Sequence, residues 1–219
     1  MTEPRPLEVT LRRREVLRNL GYRGGAQPRE RVDARLDDLW STAEGLLRPM
    51  GAHRFVDGAD AALAGMPEPG GQVGVAVCTI GGALEEESRR RADAGEMLDA
   101  LLLDGMGSAA AEATAEALNG ILCAELAAEG RHPAPRISPG YGRWDVRHQR
   151  DLLALLPAAA LGIELTPGSM MVPRKSVSFA VRLLDERLGA SGGRPAARRC
   201  ARCDLDDCAF RRDTGGEKS

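Results

Sequence analysis

Val73-Gly-Val-Ala-Val-Cys-Thr-Ile80 decides how this chain folds. The run is apolar almost throughout and rich in β-branched side chains. A Pro/Gly-rich stretch at 66–72 precedes it and Gly81-Gly82 ends it, so it predicts a short buried strand. The sequence beyond has the opposite character. Ala83 to Ala94 is charged and helix-forming. Glu96 to about Glu129 is rich in Ala and Leu and predicts a long helix with one buried side, interrupted at Gly105-Met-Gly107. Ser176 to Leu184 alternates and predicts a second strand, and Leu161 to Thr166 a short third. The expected fold class is therefore α+β, with helices packed around a small, mainly antiparallel twisted sheet.

Toward the N-terminus, residues 7–20 predict an amphipathic helix with Leu7, Leu11, Val16, Leu17 and Leu20 as its apolar positions and Gly21 as its stop. Residues 28–48 predict a second helix, opening near Pro28 and ending before Pro49. Its stripe is Val32, Leu36, Leu39, Leu46 and Leu47. Asp145 to Leu156 predicts another helix with Asp145 as N-cap. From Ser191 the chain is rich in Gly, Arg and Asp, carries three cysteines, and reads as an appendage without a core of its own. The expected organisation is one domain over 1–190 and a flexible cysteine-containing tail over 191–219.

With 219 residues and 43% hydrophobic content, the chain can bury a substantial core. Lys and Arg number 30 against 32 Asp and Glu, so the near-neutral balance gives no reason to expect nucleic acid as a partner. Arg12-Arg13-Arg14 and Arg89-Arg90-Arg91 sit beside acidic residues and read as solvated helix faces. The polar N-terminus lacks an apolar signal core. The longest apolar run, Leu152 to Leu165, is broken by Pro157 and Gly162. These features predict a cytoplasmic protein with no membrane partner, whose five cysteines are thiols or metal ligands rather than disulfides.

Function points to Arg136-Ile-Ser-Pro-Gly-Tyr-Gly-Arg-Trp144. It gathers Tyr141 and Trp144 into one loop of a chain that is only 3% aromatic. It also sets an Arg beside a Pro-Gly turn, where backbone groups can approach a ligand closely. Arg136 can grip a carboxylate bidentately, which Lys cannot do as well. Pro135 and Pro139 stiffen the loop and reduce the entropy lost on binding. Read as residues alone, Arg136 is either such a clamp or a surface arginine in a weak ion pair. Tyr141 either lies along a ligand or packs beneath the loop.

Three blocks resemble the activation domain of cobalamin-dependent methionine synthase and, more closely, small stand-alone proteins related to it. The first is Arg136-Ile-Ser-Pro-Gly140-Tyr141. The second runs from Leu165-Thr166 through Met171 and Pro173 to Ser176-Val177-Ser178. The third is Ala111-Glu112-Ala113-Thr114-Ala115-Glu116-Ala117-Leu118. Their order and spacing cover residues 73–180 most clearly.

The resemblance implies S-adenosylmethionine as ligand and a cobalamin carried by a partner protein. The implied role is a component of a cobalamin-dependent methyltransferase system in methionine biosynthesis, supporting reductive remethylation of cob(II)alamin in trans. An electron donor is a further implied partner. By correspondence, Arg136 holds the ligand carboxylate and Glu112 its ammonium or ribose hydroxyls. Read as residues, backbone groups around Ser138 can bond the adenine edge, Gly140 removes a side chain where the ligand or a sharp turn must fit, and Tyr141 lies along the ligand or packs beneath the loop. Glu112 read on its own is a solvated helix carboxylate. Met170-Met171 are core methionines or an apolar wall near the corrin. Arg174 and Lys175 face cobalamin, face an acidic partner, or are simply solvated. In one respect the chain departs from the family: Phe179-Ala-Val-Arg follows Ser178, with no Tyr where the larger domain has one beside its ligand.

Cys200-Ala-Arg-Cys203-Asp-Leu-Asp-Asp-Cys208 supports a competing reading. Its C-x2-C-x4-C spacing suits zinc or an iron–sulfur cluster, although structural zinc takes four ligands and three are evident here. Free or redox-active thiols, favoured by Arg198, Arg199 and Arg202, are the other option. On that reading the chain is a metal-binding accessory of a corrinoid system with a vestigial ligand site, or a scaffold that docks on a cobalamin domain. Cys78 and Cys123 read as small core residues. His53, His132 and His148 form no catalytic arrangement, so no acid–base catalysis is expected.

Overall fold

The computed structural model describes residues 3–22 and 26–184. The cysteine cluster Cys200, Cys203 and Cys208, and the predicted tail that carries it, lie outside the described residues. A five-stranded antiparallel sheet forms the centre, in the order β1-β2-β3-β7-β4. β1 is Arg5–Pro6, β2 is Met50–Asp57, β3 is Gln72–Thr79, β4 is His132–Pro133 and β7 is Ser176–Leu184. A separate hairpin pairs β5 (Glu164–Leu165) with β6 (Met171–Val172). The helices are α1 (Arg13–Asn19), α2 (Glu30–Leu46), α3 (Ala83–Asp93), α4 (Met97–Ala128) and α5 (Gln149–Ala154). The architecture is the α+β arrangement expected from the sequence.

β3 is a continuous apolar run because both of its faces are covered. Ala76 and Cys78, with Phe179 and Val181 of β7, pack on Ala115, Leu118, Leu122 and Leu126 of α4. Val73, Val75 and Val77 point the other way, into a second core with Trp144, Leu152, Leu153, Leu156 and Ile163. A third core, centred on Ile80 and Leu84, joins α1, α2, α3 and the N-terminal half of α4.

α4 runs unbroken through Gly105 and Gly107, where an interruption was expected. Both glycines serve close approach instead. A Cβ on Gly105 would sit 2.5 Å from Leu20 Cδ2, and one on Gly107 would sit 3.2 Å from Lys175 Cε. Each costs the helix about 1 kcal/mol relative to Ala and in return admits a neighbouring side chain to the helix axis.

The N-terminal helix is shorter than predicted. Arg5–Pro6 pairs with Met50–Gly51, and the Leu7 N–H donates to the Pro49 carbonyl at 3.0 Å. Leu7 and Leu11 are thus buried from a non-helical segment, and their helix-like spacing with Val16 is incidental. β2 is an addition that the sequence did not signal. Its core position His53 is polar, buried by a 2.7 Å bond between Nε2 and Glu125 Oε2.

Candidate functional site

α4 delivers the chain to the site through a defined stop. Gly130 takes φ +72, its N–H bonds the Ala127 carbonyl, and the Arg131 N–H bonds the Leu126 carbonyl. This paired-bond ending reverses the chain after a helix. The segment then runs along the edge of β7: His132–Pro133 pairs with Leu183–Leu184, the Ala134 N–H donates to the Arg182 carbonyl, and Ile137 bridges Ala180. Pro133 and Pro135 lack N–H donors, which suits a sheet edge.

Alternation along this edge sends Ile137 into the Trp144 core and Arg136 to the opposite face, toward α4. Arg136 is 8% exposed. Its guanidinium carbon lies 5.3 Å from the Phe179 ring centroid, a cation–π contact. Nη2 bonds Glu112 Oε1 and lies 3.8 Å from Glu116 Oε2. Nε is buried and has no hydrogen-bond partner among the described residues. A buried charged donor without an acceptor is costly, so it marks a place where a further acceptor fits. Cys78, a buried thiol, feels the Arg136 charge. Burial pushes it up to about 12 against the opposing pull of Arg136, so it is neutral at physiological pH.

Beyond Ile137 the loop is a type II turn. The Tyr141 N–H donates to the Ser138 carbonyl at 3.2 Å, with Pro139 and Gly140 in the centre and Gly140 at φ +90. The Gly140 N–H donates to the Trp144 carbonyl at 2.7 Å and the Trp144 N–H to the Tyr141 carbonyl at 3.2 Å. Trp144 is buried to 1% and anchors the loop from beneath, while Tyr141 is 75% exposed. Tyr141 therefore does not pack under the loop. Asp145 caps the next turn through the Arg147 N–H at 2.9 Å, as predicted, and the Arg147 side chain first, then that backbone bond, hold it at about 2. Helix formation over the rest of the predicted segment is limited to a 3-10 turn and α5. Gln149 Nε2 donates to Ser178 Oγ at 2.7 Å and so ties α5 to β7.

The second block forms the β5–β6 hairpin and the start of β7. Met170 is 56% exposed at its tip, whereas Met171 packs against the Trp144 core. Lys175 is not solvated. It is 8% exposed, and its Nζ lies 2.7 Å from Asp104 Oδ1 and donates to Ser108 Oγ at 2.8 Å. Arg174 stays exposed, its backbone N–H on Glu85.

The structure thus brings Glu112 and Arg136 into contact, with Ser138, Gly140 and Tyr141 on the turn that follows Arg136. It adds Glu116, Asp104, Ser108 and a buried Lys175. Residues 104, 108, 112 and 116 recur every four positions on α4, a spacing that puts them on one face. That periodicity was available in the sequence, and Arg136 was singled out beside Glu112; the Lys175–Asp104–Ser108 group was not. Among the described residues, no group of three or more His, Cys, Asp or Glu is placed to hold a metal ion. Among them, too, no helix is long and apolar enough to cross a membrane.

No family model and no curated protein matches the sequence. Among solved structures, the chain is similar to the crystal structure of the MetH reactivation domain bound to AdoHcy. The TM-score is 0.62 at 16% identity, over 83% of this chain and 78% of that one. At that identity the likeness establishes the fold, and the fold is that of the reactivation domain.

Proposed function

We propose that this chain binds S-adenosylmethionine through the Arg136–Glu112 pair and acts in trans as the reactivation component of a cobalamin-dependent methyltransferase, methionine synthase being the first candidate. One observation carries the reading. A buried arginine with an unpartnered Nε meets an exposed helix carboxylate, in a fold shared with a domain solved with AdoHcy. The amino-acid end of S-adenosylmethionine is a carboxylate beside an ammonium. It inserts into an Arg–Glu pair by exchange: Arg136 takes the carboxylate with Nε and one Nη, and Glu112 takes the ammonium. Neither protein charge is left unpaired, so the exchange avoids the cost of an isolated buried ion.

The backbone of the Ser138–Gly140 turn is the proposed adenine contact. Tyr141, exposed at the turn, covers the ligand or meets the partner. The Phe179 ring lies against the guanidinium and supports its charge through a cation–π contact. A cobalamin carried by the partner would supply the methyl acceptor, and the ligand left on this chain would be S-adenosylhomocysteine. The sulfonium is already a good leaving group, so the residues of this chain only hold and orient it. No titrating side chain is needed for that transfer.

Two measurements test this. Calorimetric titration should show saturable binding of S-adenosylmethionine. A methionine synthase deprived of its own activation domain should regain turnover after oxidative inactivation when this chain, S-adenosylmethionine and a one-electron reductant are supplied. Binding without rescue would limit the reading to a ligand-binding protein, and absence of both would refute it.

A further inference from the structure

Three carboxylates and two cations line the α4 face at the edge of β7. Asp104, Glu112 and Glu116 are the acids; Lys175 and Arg136 are the bases. One negative charge is left over. Its location follows from the geometry. Lys175 is committed to Asp104 and Ser108, and its stem is held against Gly107. Arg136 makes its hydrogen bond to Glu112 and stands at 3.8 Å from Glu116 without bonding it. Glu116 is therefore the acid without a full counter-charge. It is 68% exposed, one helical turn along from Glu112 and about 6 Å further up the axis.

The buried, unpartnered Nε of Arg136 is a second observation on this face: a charged donor free to meet a ligand acceptor. We infer that Glu116 makes the site selective for the charge state of its ligand, favouring a cationic nucleoside over its neutral thioether product. This rests on the reading that the site binds S-adenosylmethionine. When the amino-acid end of the ligand occupies Arg136 and Glu112, Glu116 loses even its distant arginine. A positive sulfonium within several ångströms replaces that counter-charge, and a thioether does not. Loss of the methyl group then removes the attraction, and the spent ligand leaves. An ion pair at about 6 Å in a partly hydrated site is worth roughly threefold to tenfold in affinity, and it weakens as salt rises.

The test is titration calorimetry of the full chain with S-adenosylmethionine, S-adenosylhomocysteine and sinefungin, whose amine supplies the positive charge without a transferable methyl. The expected result is tighter binding of both cations than of the thioether. In Glu116→Gln, affinity for the two cations should fall about threefold to tenfold while S-adenosylhomocysteine stays within about twofold. Glu116 is exposed and the change is isosteric, so folding is retained, and a thermal melt verifies it. If all three bind and Glu116→Gln leaves their ratio unchanged, or the wild type prefers the thioether, this inference is overturned and the function above stands. If none binds, both are overturned.

Discussion

The Asp99 cluster and the Arg136 cluster invert one another. In the first, a buried carboxylate is caged by arginines. The Asp99 side chain is 6% exposed, while Arg35 and Arg91 are 37% and 20% exposed. Arg35 Nε donates to Oδ1 at 2.6 Å, a second Arg35 nitrogen bonds Oδ2, and Arg91 Nη1 reaches Oδ2 at 3.0 Å. In the second, a buried arginine of 6% side-chain exposure meets carboxylates that are 64% and 68% exposed, and its Nε has no partner. The Asp99 knot joins α2, α3 and α4 with its acceptors satisfied, so it has little left to offer a ligand. The Arg136 pair is half in water and incompletely satisfied, so its partners are exchangeable. Two ion-pair clusters of the same chemistry thus divide into one that stabilises helices and one that is open to binding.

Breaking each cluster should give crossed results. Arg136→Ala carries the largest expected effect. It removes a bidentate charged contact and should weaken S-adenosylmethionine about 100-fold, with a smaller effect on the thermal midpoint. Arg136→Lys should recover only part of the affinity, because an ammonium lacks the fork. Asp99→Asn should do the reverse: the thermal midpoint drops by several degrees and the ligand affinity stays within about twofold, since distant sites act independently. A shared loss in both variants would erase the distinction between the clusters.

Acid sharpens the contrast. Arg35 first, then Arg91, holds Asp99 below the usual carboxylate range, and Arg90 with Arg91 holds Glu87 at about 2. Both folded values are depressed. Their contribution to stability is present above the unfolded value of about 4 and is lost as pH falls through the folded values. Urea midpoints measured from pH 7 to pH 3 should decline below about pH 4, and Asp99→Asn should flatten that decline. The smallest effect is expected at Tyr141. It is 75% exposed, so Tyr141→Ala should change stability by less than about 0.5 kcal/mol, and any change in binding then reports contact with the ligand.

Much of the fold was legible in the sequence, for definite reasons. β3 is a continuous run of buried apolar residues, α2 buries Leu36, Leu39 and Ala43 at helical spacing, and α4 is rich in buried Ala and Leu, whereas α3 buries only Leu84 and was read from its helix-forming composition. β2 was not legible because Met50-Gly-Ala-His-Arg-Phe-Val-Asp57 holds one β-branched residue and places a histidine in the core, where it bonds Glu125 from α4. β1 exists through its pairing with Met50–Gly51 and has no local signal. Arg136 and Glu112 were singled out through family resemblance, and their side chains meet in the structure. Glu116 and the Lys175–Asp104–Ser108 group were not, because which acids meet which bases depends on how β7 lies against α4. The exposure of Tyr141 and the burial of Trp144 are likewise set by the turn, in which Gly140 reverses the chain between them.

Titration calorimetry with fresh S-adenosylmethionine, on wild type and Arg136→Ala side by side, tests the central claim most directly. The account predicts saturable binding by the wild type and a loss of about 100-fold in the variant. No binding by folded wild type at millimolar ligand, or equal affinity in the two proteins, would contradict it.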